Sequence, residues 1–316
     1  MQTLKLIIFK DGRPGHEKQT YGLVAALAQY VKTEIAAFAV PHNSLLFEAR
    51  SYLGFFLHQL KSPCSGYRPD LIIGTGSRTH IPVLTCKRES GAKAVVCMAP
   101  NPLLRNYFDL CLVPIHDRLP ASENIFTTIG PPNTGRNKAK HRPDRGLILI
   151  GGVDHKSHYW DDDSIIEKIE ELIAQPVVKT WVIASSPRTP PETEKKLVKL
   201  ASKNPQVTFY DFSSTEKGWI DQQYNENKMV WITADSISMV YEALSAGCRV
   251  GILPVRWKGK ESKFQFSERY LVDKKRVISY SDWRSGMTQW SEDSSFNEAD
   301  RCVREILKRW WPESLQ

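Results

Sequence analysis

The stretch MVWITADSISMVYEALSAGCRVGIL, residues 229–253, carries the pattern of a complete strand–helix–strand unit. It predicts three elements, which are a strand at residues 229–233, a helix at residues 236–246 and a strand at residues 250–253. Asp235 or Ser236 is expected to cap the helix, and Gly247 to end it. Both strands are apolar at consecutive positions, as is typical of parallel strands covered by helices on both faces. The stretch therefore predicts an α/β fold.

The same alternation extends outward along the chain. In the first half it predicts strands at residues 4–9, 33–40, 71–73, 94–98 and 110–113, and helices near residues 19–30, 45–59 and 80–90. In the second half it adds strands at residues 147–150, 180–184 and 207–210, and helices at residues 164–174, 192–202 and 297–311.

The segment PPNTGRNKAKHRPDR, residues 131–145, is rich in proline and charge and is expected to link two domains. We place the first domain at residues 1–140, the second at residues 146–296 and a C-terminal helix at residues 297–316. Two doubly wound domains of this kind are expected to face each other across a cleft that binds ligands.

Composition limits the class of protein. The chain has 316 residues, of which 41% are hydrophobic and 25% charged. These values are ordinary for a soluble globular protein of about two domains, and they exclude a fibrous or wholly disordered chain. No run approaches the ~20 apolar residues of a membrane span. The N-terminal apolar run is too short for a signal peptide, so a cytoplasmic location is expected.

The cysteines and the charge give weaker indications. The six cysteines form no CxxC pair, and several, such as Cys97, lie in apolar runs, so we expect reduced, buried thiols. Lys and Arg outnumber Asp and Glu by eight, which favours an anionic partner. Because no nucleic-acid recognition motif is present, nucleic acid is not the expected partner. The apolar segment at residues 45–60 is expected either in the core or against a lipid interface.

The helix of the opening stretch has the strongest binding pattern. Positions 235, 238 or 239, and 242 share one face. That face combines hydroxyls and free N–H groups at the positive end of the helix with a carboxylate one to two turns deeper. It suits a nucleoside diphosphate, with phosphates at the N-terminus and ribose hydroxyls on Glu242. The alternative is a capped core helix with an isolated glutamate.

The loop after the first strand is the second candidate. It reads DGRPGHEKQ, residues 11–19, in which glycines allow close backbone approach and the next helix offers N–H groups to an anion. Asp11 and His16 are candidates for a general base that deprotonates a hydroxyl. The alternative is an ordinary strand-to-helix turn.

Further glycine loops follow other strands. Gly76, Ser77 and Arg78 lie in GTGSR, where the third glycine of a dinucleotide fingerprint is missing. Gly151 and Gly152 follow a strand that opens the second domain, and they leave room for a ligand. The acidic run at residues 161–163 precedes a helix and is expected to cap it rather than to bind a metal. We therefore predict no metal site and no cofactor.

Three of these segments resemble the mitochondrial-fission-protein family, named for a plant "elongated mitochondria" protein. They are DGRPGHEKQ at residues 11–19, the Gly151-Gly152 pair and ITADSISMVYEA at residues 232–243. The resemblance covers most of the chain, and ITADSxSM is its specific part. Bacterial members are assigned to glycosyl transfer in lipooligosaccharide outer-core assembly, whereas the plant member is discussed as a recruiter of division machinery.

The resemblance implies a GT-B architecture of two Rossmann-like domains, with the C-terminal helix crossing back to the first. The family is also similar, more distantly, to the transferase that adds N-acetylglucosamine to the lipid-linked peptidoglycan precursor. In that comparison a Gly-His pair matches Gly15-His16, and a ribose-binding glutamate matches Glu242.

The candidate residues fall into three groups. The catalytic candidates are His16 and Asp11. The acceptor-side candidates in the first domain are Gly12, Arg13, Gly15, Gln19, Gly76, Ser77 and Arg78. The donor-binding candidates in the second domain are Gly151, Gly152, Ser185, Ser186, Thr233, Asp235, Ser236, Ser238, Met239, Glu242 and Lys263.

The expected function is that of a metal-independent, hexosyltransferase-like GT-B enzyme. It is expected to move a sugar from a nucleotide-sugar to a lipid-linked saccharide of the lipopolysaccharide-core type. The expected place is the cytoplasmic face of the inner membrane, with peripheral contact to anionic lipid. The alternative is a non-catalytic scaffold of the same fold, in which His16 and Asp11 are dispensable.

Overall fold

The chain forms two compact α/β units. The structure is a computed structural model that describes residues 3–41, 45–259, 262–287, 290 and 296–315, with the backbone alone at residues 45–49. Unit 1 comprises Met1–Thr134 and Asn297–Gln316, and unit 2 comprises Gly135–Phe296. The division between Thr134 and Gly135 lies inside the proline-rich segment.

Unit 1 contains a parallel six-stranded sheet in the order β2-β1-β3-β4-β5-β6. Its strands are β1 (Thr3–Lys10), β2 (Lys32–Ala39), β3 (Leu71–Thr75), β4 (Lys93–Cys97), β5 (Leu110–Pro114) and β6 (Ile125–Thr128). Its helices in this part of the chain are α1 (Pro14–Leu27), α2 (Leu45–Phe56) and α3 (His80–Ser90). Five of the strands lie within two residues of their predicted positions, and β6 was not predicted.

Helix α1 begins five residues earlier than the sequence pattern indicated. Pro14 occupies its first turn, where the missing N–H and the fixed φ of proline favour helix initiation. The polar loop after β1 is therefore short, and His16 lies in the first turn of α1 rather than in a loop.

Successive side chains of β1 enter different cores. Leu6 and Ile8 pack with Leu27 of α1, whereas Ile7 packs with Val83 of α3. All are almost completely buried. This alternation explains why the strand is apolar at consecutive positions: each face of the sheet is covered by a helical layer.

Unit 2 contains a second parallel six-stranded sheet, in the order β10-β9-β7-β11-β12-β14, and a separate antiparallel pair of β8 with β13. Its strands are β7 (Arg142–Leu149), β8 (His158–Tyr159), β9 (Thr180–Ala184), β10 (Val207–Tyr210), β11 (Asn227–Thr233), β12 (Arg249–Leu253), β13 (Arg256–Trp257) and β14 (Val277–Ser279). Its helices are α4 (Asp162–Ile173), α5 (Pro191–Lys203), α6 (Trp219–Glu226), α7 (Ile237–Ser245), α8 (Lys263–Asp273) and α9 (Tyr280–Arg284).

Helix α10 (Glu298–Trp310) follows unit 2 in sequence but packs in unit 1. Val303, Ile306 and Leu307 join the same core cluster as α1. A carboxylate oxygen of Glu298 accepts a hydrogen bond from the backbone N–H of Ile129 at 3.0 Å, which ties the start of α10 to the end of β6.

The cysteine prediction is wrong for two of the six residues. Cys64 and Cys86 form a disulfide, which joins the segment after α2 to α3, whereas the other four are free and buried. The two residues are 22 positions apart, a spacing that carries no recognisable signal. Among the residues described, no helix is both long and apolar enough to span a bilayer.

The strand order reverses once in each sheet. In unit 1, β2 lies on one side of β1 and β3 lies on the other. In unit 2, β9 lies on one side of β7 and β11 lies on the other. In open α/β sheets, the carboxyl ends of the strands at such a reversal form a crevice that binds ligands. The loops after β1 and β3, and those after β7 and β11, are therefore the places where a ligand is expected.

Candidate functional site

In unit 2, three loops meet at the reversal point of the sheet. Gly151 follows β7, Thr233 ends β11, and the backbone N–H of Gly151 donates to the Thr233 hydroxyl at 2.7 Å. The loop after β9 is held in the same way, because the Ser186 hydroxyl donates to the Gly151 carbonyl at 2.8 Å. The backbone at this crevice is thus fixed by short polar side chains.

Asp235 is the centre of this cluster. Its side chain is only 1% exposed. Oδ2 accepts hydrogen bonds from Gly152 N at 3.1 Å, from the Ser236 hydroxyl at 3.1 Å and from the Arg188 guanidinium at 2.7 Å. The other oxygen, Oδ1, is buried and has no partner among the described residues. An unpartnered buried oxygen is costly unless something else supplies a donor.

The two glycines are required by close packing rather than by an unusual φ. A Cβ at Gly151 would lie 2.1 Å from Asp235 Oδ2, and a Cβ at Gly152 would lie 1.9 Å from the backbone carbonyl oxygen of Arg188. Because backbone atoms cannot move aside by rotating a side chain, Gly152 fixes the distance between the loops after β7 and β9.

Gly152→Ala is therefore expected to lower the free energy of unfolding by about 1–3 kcal/mol, the usual range for overpacking. Denaturant unfolding followed by tryptophan fluorescence measures this effect. Gly15→Ala is the control, because a Cβ at Gly15 meets no atom within 4 Å. Equal stability of Gly152→Ala and the wild type would contradict the close approach of these loops.

Helix α7 begins at the same crevice with an open N-terminus. Ser236 is the N-cap residue, but its side chain makes no capping hydrogen bond, and Asp235 points instead to Gly152 and Arg188. The expected side-chain cap is thus absent, because both candidates are engaged elsewhere. Ser238 is exposed in the first turn, and Met239 is half-buried. An uncapped helix N-terminus is an anion-binding feature.

Arg188 is the residue that sequence reasoning missed. It lies in the loop after β9, bonded to Asp235 and 3.3 Å from the Ser236 hydroxyl, with its side chain 44% exposed. Ser185, which was predicted beside Ser186 as a donor-binding residue, instead donates to Glu194 at 2.6 Å. The sequence signal was available: an arginine four residues after a strand that neighbours the reversal point.

Glu242 lies one to two turns into α7 and is buried, with 7% of its surface exposed. Its neighbour is Tyr224 of α6, which is completely buried. Burial raises the pKa of Tyr224 well above its usual value, and the charge of Glu242 and a hydrogen bond to it raise that pKa further. The phenol therefore remains protonated; its hydroxyl lies beside Glu242 and 3.5 Å from the Met239 carbonyl oxygen, to which it donates.

In unit 1, Asp11 and His16 form a hydrogen-bonded pair at the reversal point. Asp11 directly follows β1, its side chain is 1% exposed, and Oδ2 lies 2.7 Å from His16 Nδ1. Asp11 Oδ1 accepts from the backbone N–H of Arg13 at 3.1 Å, which fixes the carboxylate. Because a carboxylate only accepts, Nδ1 carries a proton, and in the neutral form of the imidazole Nε2 carries the lone pair. His16 is 16% exposed, so this nitrogen can meet solvent or substrate.

Gly76 supports the imidazole from the neighbouring strand end. Its φ is +83°, and a Cβ would lie 2.5 Å from two ring atoms of His16 and 3.4 Å from Asp11 Oδ2. The position excludes other residues both by conformation and by space. The loop after β3 is thereby packed against the Asp11–His16 pair.

The structure brings some predicted residues to these sites and leaves others apart. Ser77 and Arg78 follow Gly76 in a short 3-10 turn. Gln19 is buried in α1, and its Oε1 has no hydrogen-bond partner among the described residues. Gly12 turns the chain after β1 with φ +77°. Lys263 is exposed at the start of α8.

The acidic run at residues 161–163 behaves as a cap. Asp161 precedes α4 and accepts a hydrogen bond from Ser164 N at 3.1 Å, as predicted. Within the described part of the chain, no group of three or more His, Cys, Asp or Glu side chains is arranged to hold a metal ion.

The fold has solved counterparts at low identity. A protein of Listeria monocytogenes, provisionally assigned as a UDP-N-acetylglucosamine 2-epimerase, matches with TM-score 0.62 and 13% identity, covering 98% of this chain and 97% of that one. The UDP-GlcNAc 2-epimerase of Methanocaldococcus jannaschii matches with TM-score 0.55 and 11% identity, over 97% and 100%. Phytolacca americana UGT2, complexed with UDP-2-fluoro-glucose and pterostilbene, matches with TM-score 0.51 and 8% identity, over 98% and 91%.

These similarities confirm the predicted fold class: the chain has a GT-B-like fold of two Rossmann-like units. A search of curated proteins finds no significant match to the sequence. The family model described as mitochondrial fission ELM1 matches residues 14–310, which is most of the chain and includes His16 and the crevice of unit 2, whereas Asp11 precedes the matched range. On that match, the chain belongs to the mitochondrial fission ELM1 family.

Proposed function

We propose that the protein is a glycosyltransferase that uses a nucleotide-sugar donor. The observation that carries the proposal is the crevice of unit 2, where Arg188, the open N-terminus of α7 and two close-packed glycine positions meet. A fixed cation, free N–H groups and backbone without side chains are what a diphosphate requires.

The donor-side roles follow from this arrangement. Arg188 and the α7 N–H groups bind the diphosphate and stabilise the negative charge that develops on it when the sugar leaves. Glu242 accepts hydrogen bonds from the ribose hydroxyls. Ser186, Thr233 and Asp235 hold the crevice in shape through their bonds to the backbone. Because Arg188 supplies positive charge, the proposed reaction needs no metal ion.

The acceptor-side role belongs to the Asp11–His16 pair. His16 Nε2 takes the proton of the acceptor hydroxyl while the oxygen of that hydroxyl attacks the anomeric carbon of the donor sugar. The bond from that carbon to the diphosphate oxygen breaks, and the nucleoside diphosphate leaves with the electron pair. Asp11 orients the imidazole and stabilises the imidazolium that forms. A single displacement of this kind inverts the anomeric centre.

A lipid-linked saccharide of the lipopolysaccharide-core type is the proposed acceptor, met at the cytoplasmic face of the inner membrane. Helix α2 and the residue after it support this, because Leu53, Phe56 and Leu57 are exposed while Phe55 is buried. One face of this segment belongs to the core, and the other offers exposed apolar side chains, which support the lipid-interface alternative. Side chains of this type rest in a lipid interface.

Calorimetric titration with UDP, GDP, ADP, CMP and TDP, with and without a chelator, tests the donor site. One nucleotide is expected to bind without metal, and Glu242→Gln is expected to weaken it about tenfold, because a neutral amide accepts more weakly than a carboxylate. Tyr224→Phe is the control, because it removes the phenol hydroxyl beside Glu242 and keeps the carboxylate. It separates binding of the ribose by Glu242 from the contact between Glu242 and Tyr224.

Equal losses in Glu242→Gln and Tyr224→Phe would remove the ribose role of Glu242. If no nucleotide binds at all, the non-catalytic scaffold replaces the enzyme as the proposed function.

A further inference from the structure

Unit 1 contains a cavity of about 250 Å³ beside the Asp11–His16 pair. It lies among α2, α3 and the end of β2, and its walls are mostly apolar. Six of its lining residues are Val40, Tyr52, Leu60, Pro63, Ile81 and Pro82. An apolar cavity of about 150 Å³ already accepts a molecule of the size of benzene, so this one is large enough for several methylene groups.

The cavity and the catalytic pair share one loop. Gly76 packs against the His16 ring, and the next two residues, Ser77 and Arg78, line the cavity. Gly76 and Ser77 are consecutive, and consecutive Cα atoms are about 3.8 Å apart, so the residue that contacts His16 is directly bonded to a residue that lines the cavity. The cavity and the Asp11–His16 pair are therefore neighbours through this loop.

The cavity also contains a polar group without a partner. Thr85 of α3 lines it and is 1% exposed, and its hydroxyl forms no hydrogen bond with any described residue. A buried hydroxyl in an apolar wall is unfavourable unless a bound molecule or water satisfies it.

The wall of the cavity carries positive charge. Lys61 and Arg78 are the two cationic residues that line the cavity. Between residues 50 and 118, nine Lys and Arg stand against four Asp and Glu. An apolar interior with cationic residues at its wall complements an amphiphile whose head is anionic.

We propose that this cavity binds the hydrocarbon chain of an amphiphilic phosphate, with the phosphate held by Lys61 and Arg78 beside the Asp11–His16 pair. This inference rests on the proposed function, because it assigns the cavity to the lipid part of the acceptor. It commits the acceptor to an amphiphile that carries a phosphate close to its hydrocarbon chain.

Calorimetry with decyl phosphate, methyl phosphate and decanol, below micelle formation, tests the proposal. Decyl phosphate is expected to bind at least about tenfold more tightly than methyl phosphate, because burial of two methylenes is enough for that factor. Decanol is expected to bind more weakly than decyl phosphate. Lys61→Gln is expected to remove the difference in affinity between decyl phosphate and decanol and to leave decanol binding unchanged.

Val40→Trp fills the cavity from a half-buried position and is expected to abolish the preference for the longer chain. Val198→Trp, on an exposed site of α5 in unit 2, is the matched control and is expected to bind like the wild type. Equal affinity for decyl and methyl phosphate in the wild type would overturn the proposal, whether or not Val40→Trp folds. Unchanged binding in a folded Val40→Trp would also overturn it.

Nucleotide titration of the same samples separates the two proposals. Bound nucleotide without any chain-length preference rejects the cavity assignment alone. A chain-length preference that is lost in Val40→Trp, without nucleotide binding, supports the cavity and rejects the donor site.

Discussion

His16→Gln is expected to lower kcat for sugar transfer by a factor of about 10²–10⁴, the range that a positioned general base contributes. Glutamine keeps a polar side chain of similar length but cannot take a proton from the acceptor hydroxyl. Nucleotide affinity is expected to stay the same, because His16 lies in unit 1 and the donor crevice in unit 2. Initial rates with the nucleotide-sugar identified by titration measure the effect.

His58→Asn is the matched control. His58 is exposed in unit 1 and has φ +58°, a conformation that asparagine tolerates. Asp11→Asn is expected to reduce kcat as well, because an amide can stabilise the wrong imidazole tautomer. A His16→Gln enzyme with wild-type kcat would show that another group removes the proton.

Arg188→Gln is expected to weaken binding of the nucleoside diphosphate about 10- to 100-fold, which corresponds to losing one charge-assisted interaction. The loss is expected to be much smaller for the nucleoside alone, since that molecule carries no phosphate. Titration of both molecules with both proteins gives the comparison directly.

Arg249→Gln is the control for net charge. Arg249 is exposed at the start of β12, at the opposite end of the strand from the crevice. If Arg188→Gln affected nucleoside and diphosphate equally, Arg188 would be supporting the shape of the crevice through Asp235 rather than binding phosphate.

The position of both sites could be predicted from the sequence because strand ends are encoded locally. Apolar runs gave β9 and β10 at their observed bounds, and glycines and hydroxyls after the strands marked the loops. The parallel sheet then brings the loops together, so Gly151 and Thr233 meet although 82 residues separate them.

The partners within each site could not be predicted in the same way. Asp235 and Arg188 are 47 residues apart, and no local pattern says that this aspartate prefers a guanidinium and a backbone N–H to capping its own helix. The Cys64–Cys86 disulfide and the short helix α6 escaped for the same reason, since tertiary packing decides them.

Helix α10 has a consequence for the biogenesis of the protein. Unit 2 is continuous in sequence, whereas unit 1 needs residues from both ends of the chain to complete its core. During translation the apolar face formed by β1 and α1 stays uncovered until about 160 further residues have been synthesised. This takes roughly 8–32 s at typical elongation rates. Nascent unit 1 therefore exposes an incomplete apolar core until α10 has been synthesised.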